Sequence, residues 1–454
     1  MAATLTDSLK KQILLDIQTD FSDAGVRYYA GVGRSEVWND SDISVTPSNK
    51  LRDQRNARLA TQTAKQITDL SFTVPRSNWA SGTFYSAYDD DMDGYPLNAF
   101  FVMNSNQEIY VCLQQGLTNA NPPQNIASTV QPTGNTNGDP FRTNDGYIWK
   151  FIYSIGALRA SKFLSSAYMP VRKVFLTDSD SPAEDLQQKI VQNSAIAGQV
   201  IGYRMNATGS GYTSMPSVTI QGDGITASAV PVIAGGSVVK LLVKEDSAGN
   251  AGSSYFGSGY RYANVVITGG GGDSATARAI FGPANGLGYD PRDDLKSGAV
   301  MFNTKMDGAE DDEKVLGDEI FRQVMLYRNL LDSEVGVPIT TVTASGLSGL
   351  KVDTATNFVQ KNEIQGVNSL ARAVVDNVAD SDVFYHQNEN TGFLSFQNGE
   401  EIQVVGDTNK NANINMLLAP QFDPLTGELL YIDNRAAVTR SADQQEDLKI
   451  VFQL

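Results

Sequence analysis

The first part of the chain is patterned as two helices. Apolar residues recur at four-residue steps after Thr6 and Asp7, which can cap a helix. This apolar stripe consists of Leu9, Ile13, Ile17 and Phe21. A second helix is predicted from about residue 51 to residue 70, in a stretch rich in Ala, Arg, Gln and Lys. Its apolar face would be formed by Leu59, Ala60, Ala64 and Ile67.

Three arginines of the second predicted helix, Arg52, Arg55 and Arg58, fall on or near one side. Charges along a helix face are often satisfied by neighbouring side chains. Two interpretations stay open at this point, a salt-bridged surface and a contact used in assembly.

Strand patterns follow the helices. Residues 99–104 and 108–113 flank Ser105-Asn106-Gln107, which predicts a hairpin. Farther along, aromatic residues occur at a period of two and share one face of a strand: Tyr147, Trp149, Phe151 and Tyr153. We expect this face to pack in a core, because the alternative of a sugar-binding platform requires exposed rings.

Residues 196–283 contain an internal repeat that is rich in Gly, Ser, Ala and Val. Gly209-Ser210-Gly211-Tyr212 returns as Gly257-Ser258-Gly259-Tyr260, and Val218-Thr219-Ile220 is echoed by Val265-Val266-Ile267. Ala227 and Ala229 are likewise echoed by Ala275 and Ala277. Glycine supplies tight turns and β-branched residues favour strands, so we predict an inserted β module over residues 196–283. The run Gly269-Gly270-Gly271-Gly272 lacks the ending of a phosphate loop and is predicted to be a turn.

A second insertion is predicted over residues 338–416. Short strand patterns occur at residues 363–365, 371–375, 383–385, 393–396 and 401–405. Strands of this length and spacing predict a small β barrel or sandwich. The main domain would then be discontinuous and consist of residues 1–195, 284–337 and 417–454. Its last strand alternates Leu448, Ile450, Phe452 and Leu454 with other residues, as expected for a strand with one buried face.

Composition agrees with a mainly β, α+β fold of several domains, namely a multi-domain β-sandwich protein with two inserted small β modules. The chain has 454 residues, which exceeds one ordinary core, and its 40 glycines favour a turn-rich and strand-rich structure. Its formal net charge of −16 would repel a phosphate backbone, so we expect no direct nucleic-acid binding.

Targeting signals are not evident in the sequence. The first eleven residues lack the pattern of a signal peptide, and no apolar run has membrane-spanning length, so we expect no membrane partner. Cys112 is the single cysteine, which excludes an intrachain disulfide and agrees with folding in a reducing cytoplasm.

Several residues hint at chemistry without forming a complete motif. Asp89, Asp91, Asp93 and Gly94 match the opening of a calcium loop, but Phe100 stands where that loop needs a bidentate acid. A solvated acidic turn is the better interpretation than a weak cation site, and the same holds for Glu310-Asp311-Asp312-Glu313. Asp89 and Asp91 could also be read as a glycosidase pair, but paired acids are common in an acidic chain and mean little without a cleft.

The remaining reactive side chains predict no enzyme. His386 is the single histidine and falls on a predicted strand, where we expect a surface or hairpin residue. One histidine and one cysteine exclude a usual zinc site within one chain, and no Ser-His-Asp arrangement can be argued. Cys112 falls in mid-strand, where we expect a buried apolar group. We therefore expect no catalytic residue, no cofactor and no metal.

Five short segments occur in an order that resembles one family. They are Gly33-Arg34-Ser35-Glu36 with Trp38, Pro75-Arg76 with Trp79, Asp145-Gly146-Tyr147 with Trp149, Phe321-Arg322-Gln323, and Tyr431-Ile432-Asp433-Asn434-Arg435 leading into the C-terminal strand. In this order they resemble the baseplate wedge subunit called gene product eight in T-even-type contractile-tailed phages. We call these segments the five landmarks. The resemblance covers residues 1–176, 298–331 and 427–454, which is about half of the chain, and leaves out both insertions.

The resemblance implies a β-rich structural protein that forms a homodimer, contacts other wedge subunits and resides in the virion, at the tail baseplate. It would be assembled in the bacterial host cytoplasm, would link neighbouring subunits and would transmit the rearrangement that triggers sheath contraction. No catalytic residue is carried over, and interface residues are not identified. The alternative from another class is a host-glycan receptor-binding or depolymerase tail protein, with which glycine-rich β repeats and acidic clusters are compatible.

The first landmark also allows two interpretations. Arg34 and Glu36 could form a partly buried ion pair that orients the loop before Trp38, which is a folding role. The other interpretation is a direct contact with a partner. We expect the ion pair.

Overall fold

The structure is a computed structural model that describes residues 4–134, 137–174, 183–244, 255–307, 320–441 and 444–454. Strands make up 43% of the chain and helices 12%, so the predicted mainly β, α+β fold is confirmed. The chain divides into two compact units. Unit 1 consists of Met1–Lys11, Ser71–Met301 and Phe452–Leu454, and unit 2 of Gln12–Leu70 and Phe302–Val451. The domain boundaries inferred from the sequence stay a prediction.

The described helices are few and mostly short. They are α1 (Asp7–Ser22), α2 (Leu51–Leu59), α3 (Ala157–Phe163), α4 (Ala183–Ser194), α5 (Pro291–Asp294) and a 3-10 turn at Ala355–Asn357. The strands up to the end of the repeat module are β1 (Tyr28–Gly33), β2 (Thr61–Gln66), β3 (Asp69–Pro75), β4 (Phe101–Met103), β5 (Glu108–Gln114), β6 (Phe141–Arg142), β7 (Ile148–Ser154), β8 (Tyr168–Val171), β9 (Val200–Ser210), β10 (Ser217–Gly222), β11 (Ala229–Ala234), β12 (Ser237–Val243), β13 (Ala263–Thr268) and β14 (Asp273–Phe281).

The remaining strands form most of unit 2. They are β15 (Ala299–Asp307), β16 (Ile320–Arg328), β17 (Leu331–Asp332), β18 (Thr343–Ser345), β19 (Ser348–Val352), β20 (Glu363–Gly366), β21 (Arg372–Ala379), β22 (Asp382–His386), β23 (Glu401–Val404), β24 (Asp407–Leu418), β25 (Phe422–Asp423), β26 (Glu428–Thr439) and β27 (Gln445–Gln453).

An aromatic sheet of order β4-β5-β7-β6 forms one core of unit 1. The predicted hairpin is confirmed, because β4 and β5 pair antiparallel around a turn in which Gln107 N donates to Asn104 O. The aromatic face of β7 is buried, as predicted, and Tyr147 stacks on Trp149 with a centroid distance of 5.5 Å. Its opposite face is buried as well, so β7 is a central strand that contributes to the core on both sides.

The repeat in residues 196–283 builds a four-stranded sheet of order β10-β13-β14-β9 and a separate hairpin, β11-β12. The two echoed strands pair with each other antiparallel, with Val218 opposite Ile267 and Ile220 opposite Val265. Both glycines of each Gly-Ser-Gly-Tyr segment have positive φ, between 61° and 78°. The glycines of the two copies therefore occupy the same region of backbone conformation, and the echoed strands β10 and β13 pair with each other in the sheet.

Each repeated tyrosine packs on the glycine turn of the other copy. A Cβ added at Gly272 would lie 2.6 Å from the ring of Tyr212, and one added at Gly224 would lie 2.3 Å from the ring of Tyr260. Real Cβ atoms do not approach other atoms this closely, so both turns require glycine. The predicted turn at residues 269–272 is confirmed, and the ring of Tyr212 packs against its glycines.

Unit 2 is organised around a five-stranded sheet of order β18-β2-β1-β16-β26. The prediction of a helix from residue 51 to residue 70 is wrong beyond Leu59, because the chain turns at Ala60 and continues as β2 and then β3. β2 lies between β1 and β18, and pairing on both sides outweighs the helix propensity of its Ala, Gln and Lys residues. Gly33 allows the close approach, since a Cβ there would lie 2.1 Å from Ala60 O.

Residues 348–418 form a closed six-stranded barrel of order β19-β22-β21-β20-β23-β24. Its core contains fourteen buried apolar residues, among them Leu350, Phe358, Ile364 and Val383. The strand predicted at residues 393–396 is wrong, because this stretch is irregular. Phe396 is nevertheless buried and packs edge-on against Tyr385. The apolar residues that suggested a strand here therefore belong to a loop that packs on the barrel core.

The helix predicted near the start of the chain and the strand predicted near its end are both confirmed. Helix α1 begins at Asp7, and Thr6 Oγ1 accepts a hydrogen bond from Leu9 N, as a capping residue does. The predicted stripe is displaced, since Leu14 is the one fully buried residue of α1 and Leu9 is 46% exposed. Strand β27 lies beside β15, with Leu448 and Ile450 buried; Phe452 and Leu454 are only half-buried.

Candidate functional sites

Three of the five landmarks meet inside unit 2. Arg322 is 3% exposed, and its Nη1 donates to Ser35 O at 2.5 Å. Its other nitrogens form a two-pronged ion pair with Asp42, at 2.7 Å on each prong. Through Arg322, the fourth landmark therefore holds in place the loop that follows the first landmark and contains Asp42.

The last landmark joins the same network through its backbone and side chains. Trp38 Nε1 donates to Arg435 O at 2.8 Å. Gln323 Nε2 donates to Asn434 Oδ1 at 2.8 Å, and Asn434 Nδ2 donates to Val45 O. Residues almost 400 positions apart are thus held together by polar contacts that only this fold brings into reach.

Beside these contacts lies a buried cluster that includes the single histidine. His386 Nδ1 lies 2.6 Å from Asp376 Oδ2, and Ser35 Oγ donates to Asp376 Oδ1 at 2.6 Å. On the other side of the ring, Nε2 lies 3.0 Å from Glu36 Oε1 without the alignment of a hydrogen bond, so this contact is an ion pair. Asn388 Nδ2 donates to the same carboxylate at 2.5 Å. We call Ser35, Glu36, Asp376 and His386 the histidine cluster.

His386 lies on the β21–β22 hairpin, as one of the two expectations had it, but it is not a surface residue. It is the last residue of β22 but is only 5% exposed, and Asp376 on the neighbouring strand β21 is 1% exposed. Burial disfavours the charged ring, but the two carboxylates outweigh burial and raise the pKa of His386 to about 10. Burial likewise opposes ionisation of Glu36, yet the positive charges of His386 and Arg34 and the hydrogen bond from Asn388 lower its pKa to about 2.

The histidine cluster has the residue types of a hydrolase triad but not its chemistry. In a triad the serine hydroxyl is bonded to the ring nitrogen that will take its proton. Here Ser35 donates to Asp376 instead, and Ser35 is fully buried. An imidazolium with a pKa of about 10 cannot act as a general base at neutral pH. The cluster is therefore a buried ion network that ties the first landmark to the barrel strands.

This network predicts a pH dependence with a defined sign. The pKa of His386 is raised from 6.5 to about 10, so its stabilisation is complete below pH 6.5 and is lost as the pH rises towards 10. The pKa of Glu36 is lowered from 4.5 to about 2, so its stabilisation is complete above pH 4.5 and is lost as the pH falls towards 2. We expect the contribution of the cluster to unfolding free energy to be greatest between pH 4.5 and 6.5.

Because His386 is the single histidine, ¹³C-histidine labelling gives one ring signal that reports its protonation directly. We expect an imidazolium signal that persists beyond pH 8 in the folded protein and titrates near pH 6.5 in urea. A folded-state midpoint near 6.5 would contradict the cluster as described.

The ion pair expected between Arg34 and Glu36 is not formed. The guanidinium of Arg34 lies over the ring of Trp38, 4.1 Å from its centroid, and Glu36 pairs with His386. Arg34 also has a positive φ of 65°, an uncommon backbone conformation for a residue other than glycine. The folding role expected for this landmark is present, but other partners provide it.

The two landmarks of unit 1 also meet. Trp79 Nε1 donates to Ser128 Oγ at 3.1 Å, and Ser128 Oγ donates to Asp145 Oδ2 at 2.9 Å. The same oxygen of Asp145 accepts from Thr129 N and Val130 N. Trp79 packs against the core that contains Tyr147 and Trp149. Each of the five landmarks is thus part of a network that holds its own unit together.

The acidic residues 89–91 do not form an open cation site. Arg278 pairs with Asp89 and, at 2.5 Å, with Asp90, and Arg204 Nη1 lies 3.3 Å from Asp89. These arginines already supply positive charge to the turn. Within the ranges that the structure describes, no three His, Cys, Asp or Glu side chains form a group that could hold a metal ion. Residues 310–313 lie outside the described residues.

The arginines of α2 are engaged within unit 2. Arg52 and Arg55 pair with Glu389 in the barrel, and Arg58 donates to backbone carbonyls of Pro424, Thr426 and Gly427. The salt-bridged interpretation is therefore confirmed for Arg52 and Arg55. Cys112 is fully buried, as predicted, and burial raises the pKa of its thiol.

No family model matches the chain, and no curated protein matches it significantly. Across the described residues, no helix is long and apolar enough to cross a membrane.

Proposed function

We propose that this chain is a structural subunit of the baseplate wedge in a contractile phage tail, of the gene product eight family that its landmarks resemble. It would form a homodimer, link neighbouring wedge subunits in the virion and transmit the rearrangement that triggers sheath contraction. The observation that carries the proposal is the meeting of the first, fourth and fifth landmarks in unit 2 through Arg322, Trp38 and Gln323. Landmarks that contact one another in one network depend on one another for folding. We therefore expect proteins of one family to have these landmarks in the same order and with the same residue types, which is the basis of the resemblance.

The site geometry favours a structural role over the alternative of a glycan-binding or depolymerase protein. The aromatic face of β7, the best sequence candidate for a sugar platform, is buried in a core. Asp89, which could have served in a glycosidase pair with Asp91, is bound by Arg278 and Arg204. The charged groups of the histidine cluster pair with one another, and His386 is protonated at neutral pH and cannot act as a base.

Inactivating the gene in the phage that encodes this chain separates the two functions. A wedge subunit is needed for assembly, so we expect heads and tail parts without complete baseplates, and restoration by the wild-type gene on a plasmid. A receptor-binding protein or depolymerase is needed for adsorption, so its loss would leave intact particles that do not attach. Complete baseplates in the mutant particles would overturn the proposal.

The expected homodimer is tested on the purified chain. Light scattering at micromolar concentration should give about twice the chain mass of 49.0 kDa. A monomer at all concentrations would contradict the dimer, and turnover of a host glycan would contradict the structural role.

A further inference from the structure

We propose that a cleft within unit 1 binds a small organic anion with an apolar body, and that Lys240 holds its carboxylate. This inference does not depend on the proposed function. The cleft has a volume of about 490 Å³, which lies within the range of small-molecule sites, ~300–1,000 Å³. Strands β5 and β7 of the aromatic sheet line one side, and strands β9, β12 and β14 of the repeat module line the other.

The cleft is lined by apolar and polar surface in comparable amounts, and its apolar part is formed by buried side chains. Its lining side chains include Leu113, Ile148, Ile201, Leu241, Val243, Phe256 and Ile280, each at most 7% exposed. Such a surface favours the apolar body of a ligand, because burying apolar area removes it from water. The polar part of the lining includes Gln115, Asn125 and Lys240, which can orient a ligand, and Asp89, whose carboxylate is paired with Arg204 and Arg278.

Lys240 on β12 is positioned in the cleft by a chain of amides. Gln115 Nε2 donates to Tyr85 O at 2.7 Å, so its Oε1 is the atom that accepts from Asn125 Nδ2, at 2.5 Å. That donation in turn directs Asn125 Oδ1 towards Lys240 Nζ, at 3.0 Å. The ammonium is therefore held by a neutral partner and keeps two N–H groups for another acceptor.

The charge of Lys240 has no counter-ion among the described residues. Its acceptor is an amide oxygen, and burial lowers the pKa of its ammonium. Arg204 at the edge of the cleft is already paired with Asp89 and Asp91. A half-buried ammonium without a carboxylate is costly, and a bound carboxylate removes that cost. The cleft thus offers the ammonium of Lys240, whereas the guanidinium of Arg204 is already occupied. Because a phosphate usually takes several donors, this arrangement fits a ligand with a single negative charge better than a phosphate.

Octanoate and octan-1-ol provide matched probes, because they share a carbon chain and differ in charge. By calorimetry we expect the wild-type chain to bind octanoate more tightly than octan-1-ol. Lys240→Met, which keeps most of the length of the side chain and removes its charge, should weaken octanoate binding at least about tenfold and leave octan-1-ol unchanged. Lys244→Met is the control, since Lys244 follows β12 outside the cleft lining and lies near the ring of Tyr255.

A second measurement separates a binding lysine from a structural one. Without ligand, Lys240→Met should melt at the same temperature as the wild type or higher, because it replaces an uncompensated charge by an apolar group. Octanoate should raise the melting temperature of the wild type and of Lys244→Met but not of Lys240→Met. Absence of octanoate binding by the wild type, equal binding by Lys240→Met, or a lower melting temperature of unliganded Lys240→Met would each overturn the proposal.

Discussion

Replacing Asp376 with asparagine is expected to destabilise unit 2 by about 3–5 kcal/mol, the range for breaking a buried ion pair. Asp376 is 1% exposed, faces the His386 ring at 2.6 Å and accepts hydrogen bonds from Ser35 and Gln62. Asparagine has nearly the same size, so the substitution removes the charge without leaving a cavity. His386 must then give up its proton or remain a buried cation with Glu36 as its sole counter-ion.

Asp380→Asn is the matched control for this substitution. Asp380 lies in the turn between β21 and β22, is exposed, and has a positive φ of 53°, a conformation that asparagine tolerates well. Urea unfolding near pH 6 gives the free energies, and hydrogen exchange in peptides from the barrel assigns the loss to unit 2. Equal stability of the two variants would show that the histidine cluster does not contribute to folding.

Deleting residues 449–454 is expected to give insoluble or partly unfolded protein. The deletion removes the last five residues of β27, including Ile450, which is 5% exposed. Burial of a large aliphatic side chain contributes about 1.5–3 kcal/mol, and half-buried Phe452 and Leu454 add to this. Together these amounts approach the ~5–15 kcal/mol that stabilises a whole domain.

Ile450→Val in the full-length chain is the control for that deletion, because it removes one methyl group and should cost about 0.5–1.5 kcal/mol. Solubility on expression and the melting temperature are the measurements, and particles that carry the truncation should lack complete baseplates. A truncated chain that melts at the wild-type temperature would show that β27 is dispensable for folding.

The elements predicted correctly are those whose pattern is local. Helix α1, the β4–β5 hairpin and β27 each carry a hydrophobic period and a cap or turn within a few residues. The error beyond Leu59 has the opposite origin, since β2 is a strand because β1 and β18 pair with it. Periodicity cannot report neighbours that are distant in sequence.

The histidine cluster could not be predicted for the same reason, since Ser35 and Asp376 are 341 residues apart. One signal was nevertheless present. Asp376 follows Val374 and Val375 in an apolar strand, and an acid buried in such a strand requires a partner. His386 on the next predicted strand was the natural candidate. The amide chain that holds Lys240 had no comparable signal, because it depends on side-chain rotamers in loops.

The exchange of tyrosines between the two halves of the repeat module has a consequence for how such a module can exist. Tyr212 packs on glycines of the second copy, and Tyr260 on glycines of the first. In one copy by itself, the tyrosine ring would have no glycine turn to pack on, and the glycine turn would have no ring packed against it. Each copy therefore supplies the tyrosine that packs on the glycine turn of the other. We expect the two copies to fold together, and neither copy to be stable when it is expressed alone.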